Sequence, residues 1–162
     1  MASHGFTIAA AEPRDIAEIA RLFRAYEAHI GVDLSYQGFT DELATLPGKY
    51  APPEGQLLIA RDSNGAAIGC VALRPIDAPG CCEMKRLFVS AGGRGLGLGR
   101  ALADAVIADA ASRGYVELRL DTLPSMHEAI ALYRTLGFAP IAPYYAAREG
   151  TLFMARRLEP AR

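Results

Sequence analysis

The feature that most constrains this chain is the glycine-rich run Arg94-Gly95-Leu96-Gly97-Leu98-Gly99-Arg100. It follows an apolar strand candidate ending at Val89 and precedes a segment with apolar residues at helical spacing: Leu98, Ala101, Leu102, Ala105 and Val106. A helix start presents free N–H groups and a positive dipole end, and glycines let a ligand approach the backbone. The two arginines can add charge-assisted bonds to phosphate oxygens. The run therefore predicts a strand–turn–helix unit that binds a ligand carrying a di- or polyphosphate.

Two common nucleotide loops do not fit this run. The dinucleotide pattern G-x-G-x-x-G fails because the sixth positions counted from Gly93, Gly95 and Gly97 are not glycine. The triphosphate loop G-x-x-x-x-G-K-[ST] fails because Leu98 stands where lysine is required. Both a nicotinamide oxidoreductase and a P-loop nucleotide hydrolase are therefore disfavoured.

Length and composition favour one globular domain over residues 1–162, with 51% hydrophobic and 22% charged residues. A net charge of -1 argues against a nucleic-acid partner.

The sequence has no apolar run of about 18 residues, and Met1 to Ile8 lacks the features of a signal peptide, so no membrane association is expected. The three cysteines, an odd and clustered set, suggest neither disulfides nor a metal site, and a cytoplasmic location is expected.

Periodicity predicts the element order β, α, then three strands, then α, β, α, β, β. The predicted strands are Phe6–Ala10, Gln56–Ala60, Ala67–Leu73, Cys81–Val89, Tyr115–Leu120, Phe138–Ile141 and Thr151–Ala155. The main helices are predicted from Pro13 to His29, from Leu98 to near Gly114, and from a capping box at Ser125–Glu128 to Gly137. This order predicts an α/β fold with a mixed, largely antiparallel sheet flanked by helices on both faces.

At this point the chain resembles the GNAT N-acetyltransferase superfamily. Arg94, Gly97 and Gly99 match the family's cofactor loop [R/Q]-x-x-G-x-[G/A], and Glu83 to Val89 resembles its central strand. The segment Ala129 to Phe138 resembles the family's A-x-x-L-Y-x-x-x-G-F motif. The resemblance covers residues 55–158 well and implies a GNAT-like fold, in which two parallel strands, here ending near Val89 and Leu120, splay apart.

The resemblance also implies that the cosubstrate is acetyl-CoA, with no metal. Its pantetheine arm would pair with the backbone of Leu87, Phe88 and Val89, and the Val89 N–H would polarise the thioester carbonyl. The pyrophosphate would be held in the glycine turn by Arg94, Gly95, Leu96, Gly97, Leu98, Gly99 and Arg100. One position departs from the family, because Met126 stands where many relatives carry asparagine.

Tyr133 maps onto the family's frequent general acid, which protonates the leaving thiolate. The alternative is a core aromatic residue, because Tyr133 falls on the apolar face of its predicted helix. Glu83 is the first candidate for the general base, since strict strand alternation would place it on the same face as Leu87 and Val89. The alternative for Glu83 is a surface or salt-bridged carboxylate, and Asp121 is the second candidate for the base.

The predicted activity is direct transfer of an acetyl group from acetyl-CoA to an amine on a small molecule or peptide. The alternative is a catalytically weak acyl-CoA-binding module with a regulatory or interaction role. Asp33, Asp41 and Glu42 mildly favour a cationic acceptor. Three tyrosines either line the acceptor pocket or pack in a homodimer interface: Tyr36, Tyr144 and Tyr145.

Overall fold

The computed structural model describes residues 5–160, apart from the side chain of Tyr36. The strands are β1 (Phe6–Ala10), β2 (Gln56–Asp62), β3 (Ala67–Pro75), β4 (Cys81–Val89), β5 (Glu117–Thr122), β6 (Ala139–Ile141) and β7 (Leu152–Arg157). The helices are α1 (Ile16–Ile30), α2 (Phe39–Ala44), α3 (Leu98–Ser112) and α4 (His127–Thr135). Among residues 5–160, no helix has the length and apolar character that crossing a bilayer requires.

One seven-stranded sheet forms the centre of the fold, in the order β1-β2-β3-β4-β5-β7-β6. Every neighbouring pair is antiparallel except β4 and β5, which run parallel. Antiparallel neighbours can be joined by short turns, whereas the parallel pair needs the α3 crossover. The predicted mixed, largely antiparallel sheet is confirmed.

Helices cover both faces of this sheet and create two apolar cores. The α1 and α2 side buries Ile19, Phe23 and Phe39 against β2, β3 and β4. The opposite side buries Leu102 and Val106 of α3 and residues of α4 against alternate residues of the same strands. Strand alternation supplies both cores at once, because successive side chains point to opposite faces.

The alternation is interrupted in β4 by a bulge at Arg86. Opposite β3, the register moves from Cys70↔Phe88 to Ala72↔Lys85, so two β4 residues face one residue of β3. Arg86 has φ 60, and it is the only non-glycine residue of the described chain in the left-handed region. A bulge bends its strand and changes which face the following side chains occupy.

The parallel pair separates beyond its first residues. Pairing of β4 with β5 extends only from Cys81↔Glu117 to Glu83↔Arg119, although both strands continue further. The remainder of β4, from Met84 to Val89, therefore diverges from β5 and leaves a gap in the sheet. The predicted separation of the two parallel strands is present, and the bulged strand β4 forms one side of the gap.

Two local predictions, one before α4 and one at the start of β5, are wrong. The capping box at Ser125 does not form, because α4 begins at His127 with Met126 as its N-cap and no side-chain cap bond. β5 begins at Glu117 rather than Tyr115, and Val116 lies outside it with 49% exposure. The apolar alternation that predicted an earlier start of β5 continues only in Leu118 and Leu120, which are buried.

Candidate active site

The gap between β4 and β5 contains a cavity that joins several elements. Its lining comprises residues of α1, the following turn, β4, β5 and α4: Tyr26, Ile30, Leu34, Gln37, Met84, Lys85, Arg86, Leu87, Asp121, Thr122, Leu123, Met126 and Tyr133. The C-terminal ends of neighbouring parallel strands are where α/β folds place ligands. The sequence-predicted Leu87 and Tyr133 both line this cavity.

The backbone of Val89 is directed into this gap. The N–H of Ser90 donates to the Ile68 carbonyl on β3 at 2.9 Å. Because backbone groups of successive strand residues point alternately to the two sides, the N–H and carbonyl of Val89 point away from β3. No strand of the sheet pairs with β4 there, so an extended ligand can bond to Val89 as a partner strand would.

The glycine turn lies where β4 leads into α3. Gly95 and Gly97 have φ of 79° and 73°, a region that L-residues other than glycine rarely adopt, and Gly97 is the N-cap of α3. The first helical bond runs from the Ala101 N–H to the Gly97 carbonyl at 3.1 Å. The N–H groups of Leu98, Gly99 and Arg100 therefore have no partner within the helix, and a helix start of this kind favours an anion.

The side chains of Arg94 and Arg100 remain exposed beside this turn. A guanidinium nitrogen of Arg94 lies 3.4 Å from Nδ1 of His29. Arg100 approaches Asp104, one helical turn later, at 3.7 Å, and both side chains are more than half exposed. Such an exposed pair holds its partners weakly, so both arginines can turn toward an incoming phosphate.

Two neighbouring glycines, Gly92 and Gly93, test how closely side chains and backbone pack around the segment that leads into the turn. A Cβ at Gly93 would lie 3.0 Å from the Ile68 carbonyl oxygen and 3.0 Å from a Val89 methyl, whereas one at Gly92 would meet nothing closer than 3.7 Å. We expect Gly93→Ala to lower the free energy of unfolding by about 1–3 kcal/mol through overpacking. Gly92→Ala should change it by less than about 0.5 kcal/mol. Urea unfolding of both variants measures the difference, and equal stabilities would contradict the predicted packing.

Tyr133 occupies the α4 wall of the gap. Its ring packs edge-on against Phe138, with centroids 5.7 Å apart, and only 6% of the residue is exposed. Burial raises the pKa of the Tyr133 hydroxyl, and the nearby Tyr26 and Asp121 raise it further. The hydroxyl therefore keeps its proton at neutral pH, and Tyr133 is a core aromatic residue that also lines the cavity.

Thr122 was not predicted from the sequence as a site residue. It ends β5, lines the gap cavity and is 6% exposed, yet its Oγ1 has no hydrogen-bond partner within residues 5–160. A buried hydroxyl without a partner is costly, so this atom suits a polar group of a ligand in the gap. Only the strand register brings it there, which is why no sequence motif indicated it. Met126 lines the same cavity with an apolar thioether.

Glu83 does not lie on the face that strand alternation predicted. Because of the bulge, Glu83 shares its face with Lys85 and Arg86, while Leu87 and Val89 pack with the α3 and α4 core. The prediction that Glu83 shares a face with Leu87 and Val89 is therefore wrong. Its side chain is fully buried, with Oε1 accepting from Arg74 Nε at 2.8 Å and Oε2 accepting from the Tyr144 hydroxyl.

Asp121 is the carboxylate that faces the gap. Its Oδ1 lies 3.2 Å from Nζ of Lys85, and its Oδ2 accepts from the Tyr145 hydroxyl. Burial alone would raise the pKa of Asp121, but the Lys85 ammonium and the Tyr145 hydroxyl outweigh it, and the pKa is lowered. Burial lowers the pKa of Lys85, although Asp121 opposes the change. Asp121 therefore stays ionised, in contact with Lys85 Nζ at the wall of the cavity.

Arg86 is held in its strained conformation by contacts on the α1 and α2 side. A left-handed residue with a side chain costs roughly 1–2 kcal/mol. The Arg86 guanidinium donates to both carboxylate oxygens of Glu42 at 3.0 Å and stacks over the rings of Phe39 and Tyr26 at 5.1 and 5.8 Å. Bidentate pairing and cation–π contact offset that cost.

The other predicted acceptor-side groups fall into different roles. Asp33 accepts from the Ser35 N–H at 2.8 Å and Glu42 pairs with Arg86, and neither residue lines the gap cavity. Tyr144 and Tyr145 pack on Phe153 with centroids 5.1 Å away, and Tyr145 lines a second cavity. The side chain of Tyr36 lies outside the described part of the chain.

Within residues 5–160, no cluster of three metal-ligating side chains occurs.

Comparison with known proteins places this geometry among acetyltransferases. The sequence model of the acetyltransferase (GNAT) family matches residues 32–138. A protein of Schizosaccharomyces pombe, named an uncharacterized N-acetyltransferase, is 44% identical over 133 residues, which cover 82% of each chain. A Klebsiella pneumoniae structure assigned as an acyl-CoA N-acyltransferase superposes with a TM-score of 0.77 at 30% identity, covering 97% of this chain and all of that one. A Salmonella typhimurium protein solved with its cofactor acetyl-CoA has the same fold, with a TM-score of 0.69 at 23% identity, and 96% of this chain and 95% of that one are covered.

Proposed function

The chain belongs to the GNAT family of acetyltransferases, and on that premise we propose that it transfers the acetyl group of acetyl-CoA directly to an amine. The observation that carries this proposal is the gap between β4 and β5, which opens next to the glycine turn at the start of α3. One ligand can span both features if it carries a pyrophosphate at one end and an extended arm at the other. Coenzyme A has that shape.

We assign the binding of acetyl-CoA to the backbone of two segments. The N–H groups from Gly95 to Arg100 hold the pyrophosphate, assisted by the arginines at the two ends of the turn. Leu87, Phe88 and Val89 provide the strand against which the pantetheine arm lies, and the Val89 N–H polarises the thioester carbonyl. The buried Thr122 hydroxyl, on the β5 wall, is a further polar contact for the arm.

The reaction moves one acetyl group and two protons. The acceptor nitrogen attacks the thioester carbon, the C–N bond forms and the C–S bond breaks. The nitrogen loses a proton to a base, and the leaving thiolate gains one from Tyr133. Burial in the gap raises the pKa of Tyr133, and the same removal from water makes the leaving thiolate more basic as well. Solvent then returns the proton from the base to Tyr133.

We assign the base to Asp121 rather than Glu83. Both carboxylates accept hydrogen bonds on each oxygen, but the side chain of Glu83 lines neither cavity. Asp121 lines the gap within the same wall as Lys85 and stays ionised at neutral pH. A general base must lie within hydrogen-bond reach of the nitrogen, or act through one water. Because Asp121 and Leu87 line one cavity, we place the attacking amine between them, within reach of the carboxylate directly or through one water.

Calorimetric titration with acetyl-CoA is the first test, with coenzyme A and NADH as comparisons. We expect both coenzyme A species to bind and NADH not to bind. Failure of acetyl-CoA to bind would overturn the proposed function. Binding of acetyl-CoA without turnover of any amine in a broad panel would favour a regulatory or interaction module instead.

A further inference from the structure

We infer that the acceptor of this enzyme carries a carboxylate next to its amine, and that a second cavity beside the gap binds this anion. The inference rests on the proposed function and narrows its substrate class. The second cavity has a volume of about 210 Å³ and is lined by Gln37, Arg74, Lys85, Arg86, Tyr145 and Ala146. Three of these six residues are cationic, and none is a carboxylate.

Arg74 and Arg86 line the second cavity, whereas their carboxylate counterions do not. Arg74 pairs with Glu83, whose side chain is fully buried, and Arg86 pairs with Glu42, whose side chain is 13% exposed. Neither carboxylate lines the cavity. A molecule entering it therefore meets N–H donors first, although the cluster as a whole is close to neutral. Donors arranged in this way favour an anion over a cation.

Arg74 is the cation best placed to contact the acceptor. Its side chain is 28% exposed, whereas those of Lys85 and Arg86 are 4% and 2% exposed. Arg74 uses Nε and one terminal nitrogen on the same oxygen of Glu83, at 2.8 Å each. Its guanidinium has further N–H donors that can bind a planar carboxylate. Glu83 thereby acts as a positioning residue for Arg74.

The two cavities share the residues that would connect an anion to the reacting amine. Gln37, Lys85 and Arg86 line both, so the acceptor can span from Arg74 to the gap. The volume corresponds to roughly seven water molecules at about 30 Å³ each, which suits a small compound. Nearby cations also favour the uncharged amine, which is the nucleophilic form. A free amino acid combines small size, a carboxylate and an amine in one molecule.

This inference replaces the sequence-based preference for a cationic acceptor. That preference depended on Asp33, Asp41 and Glu42. Glu42 is paired with Arg86, and none of the three lines the gap cavity or the second cavity.

The test uses the purified full chain and matched pairs of acceptors. The standard L-amino acids are each compared with their α-amides, and spermidine and a lysine-rich peptide serve as cationic probes. Acetyl transfer is followed by release of the coenzyme A thiol, and binding by calorimetry with coenzyme A present. For at least one pair we expect kcat/KM for the amino acid to exceed that for its amide by about tenfold or more, as a charge-assisted bond supplies.

Two variants separate the role of Arg74 from that of its counterion. Glu83→Gln removes the buried charge and leaves Arg74 in place, so the preference for the carboxylate should persist. The double variant Arg74→Gln/Glu83→Gln removes both charges together and leaves no unpaired buried carboxylate. It should bring the ratio between amino acid and amide to about one, since a charge-assisted bond is lost. Thermal unfolding and acetyl-CoA binding confirm that both variants fold.

Different failures have different meanings. If acetyl-CoA does not bind, the proposed function fails as a whole. If acetyl-CoA binds but amides or cationic probes are bound and acetylated better than amino acids, only the present inference is overturned. It is also overturned if no amino acid binds in the presence of coenzyme A, or if the double variant keeps the carboxylate preference.

Discussion

Replacing Tyr133 by phenylalanine is expected to lower kcat by about 100-fold or more, the usual contribution of a general acid. The Kd for acetyl-CoA should stay within about twofold, because the ring and its edge contact with Phe138 remain. The hydroxyl is the only group removed, and it is the proposed source of the proton that the thiolate receives. Steady-state kinetics, with calorimetry on the same preparation, measures both quantities.

Tyr115→Phe is the matched control for that experiment. The Tyr115 hydroxyl donates to the Glu54 carbonyl at 2.7 Å, and the residue does not line the gap. This variant should keep the wild-type kcat. If Tyr133→Phe also keeps it, the role of Tyr133 is confined to packing and the thiolate obtains its proton from solvent.

Asp121→Asn is expected to reduce kcat/KM by about 100-fold, because the amide cannot accept the proton of the attacking amine. It also leaves Lys85 buried without a counterion, so the free energy of unfolding should fall by up to about 3 kcal/mol. The double variant Lys85→Met/Asp121→Asn removes the orphaned charge. It should recover most of the lost stability without recovering activity. Recovery of both would show that Asp121 acts only as a structural partner of Lys85.

The pH dependence gives a second measure of the same carboxylate. The Tyr145 hydroxyl stabilises the ionised form of Asp121 and so contributes to its lowered pKa. Tyr145→Phe removes that bond, and the pKa of Asp121 should rise. The acid limb of the kcat/KM profile reports protonation of the base in the free enzyme, so it should move to higher pH. An unchanged acid limb would argue against Asp121 as the base.

Local patterns predicted the glycine turn, the α3 helix and the order of helices and strands along the chain, because each depends on residues close together in the sequence. Gly97 needs a left-handed backbone at the helix start, and the apolar residues of α3 repeat at helical spacing. The antiparallel order of the early strands likewise follows from the short Asn64-Gly65 turn. These features did not depend on tertiary contacts.

The acceptor side could not be predicted in the same way. A strict two-residue alternation placed Glu83 beside Leu87 and Val89, but one extra residue at Arg86 reversed that relation. The bulge depends on contacts of Arg86 with Glu42 and Phe39, which are distant in sequence. The cation-lined cavity, likewise, forms only when β3, β4 and the loop before β7 come together. No local signal carries that information.

The bulge in β4 also has a consequence for how this enzyme can change its substrate. In the proposed assignment, the half of the strand before Arg86 contributes to the acceptor wall, whereas the half after it offers the cosubstrate mainly backbone atoms. On that assignment, substitutions at Glu83 or Lys85 of β4, or at Arg74 of the neighbouring β3, alter acceptor choice while main-chain recognition of the thioester is preserved. The two specificities are separable within one strand, and acceptor preference can diversify by point mutation without rebuilding the donor site.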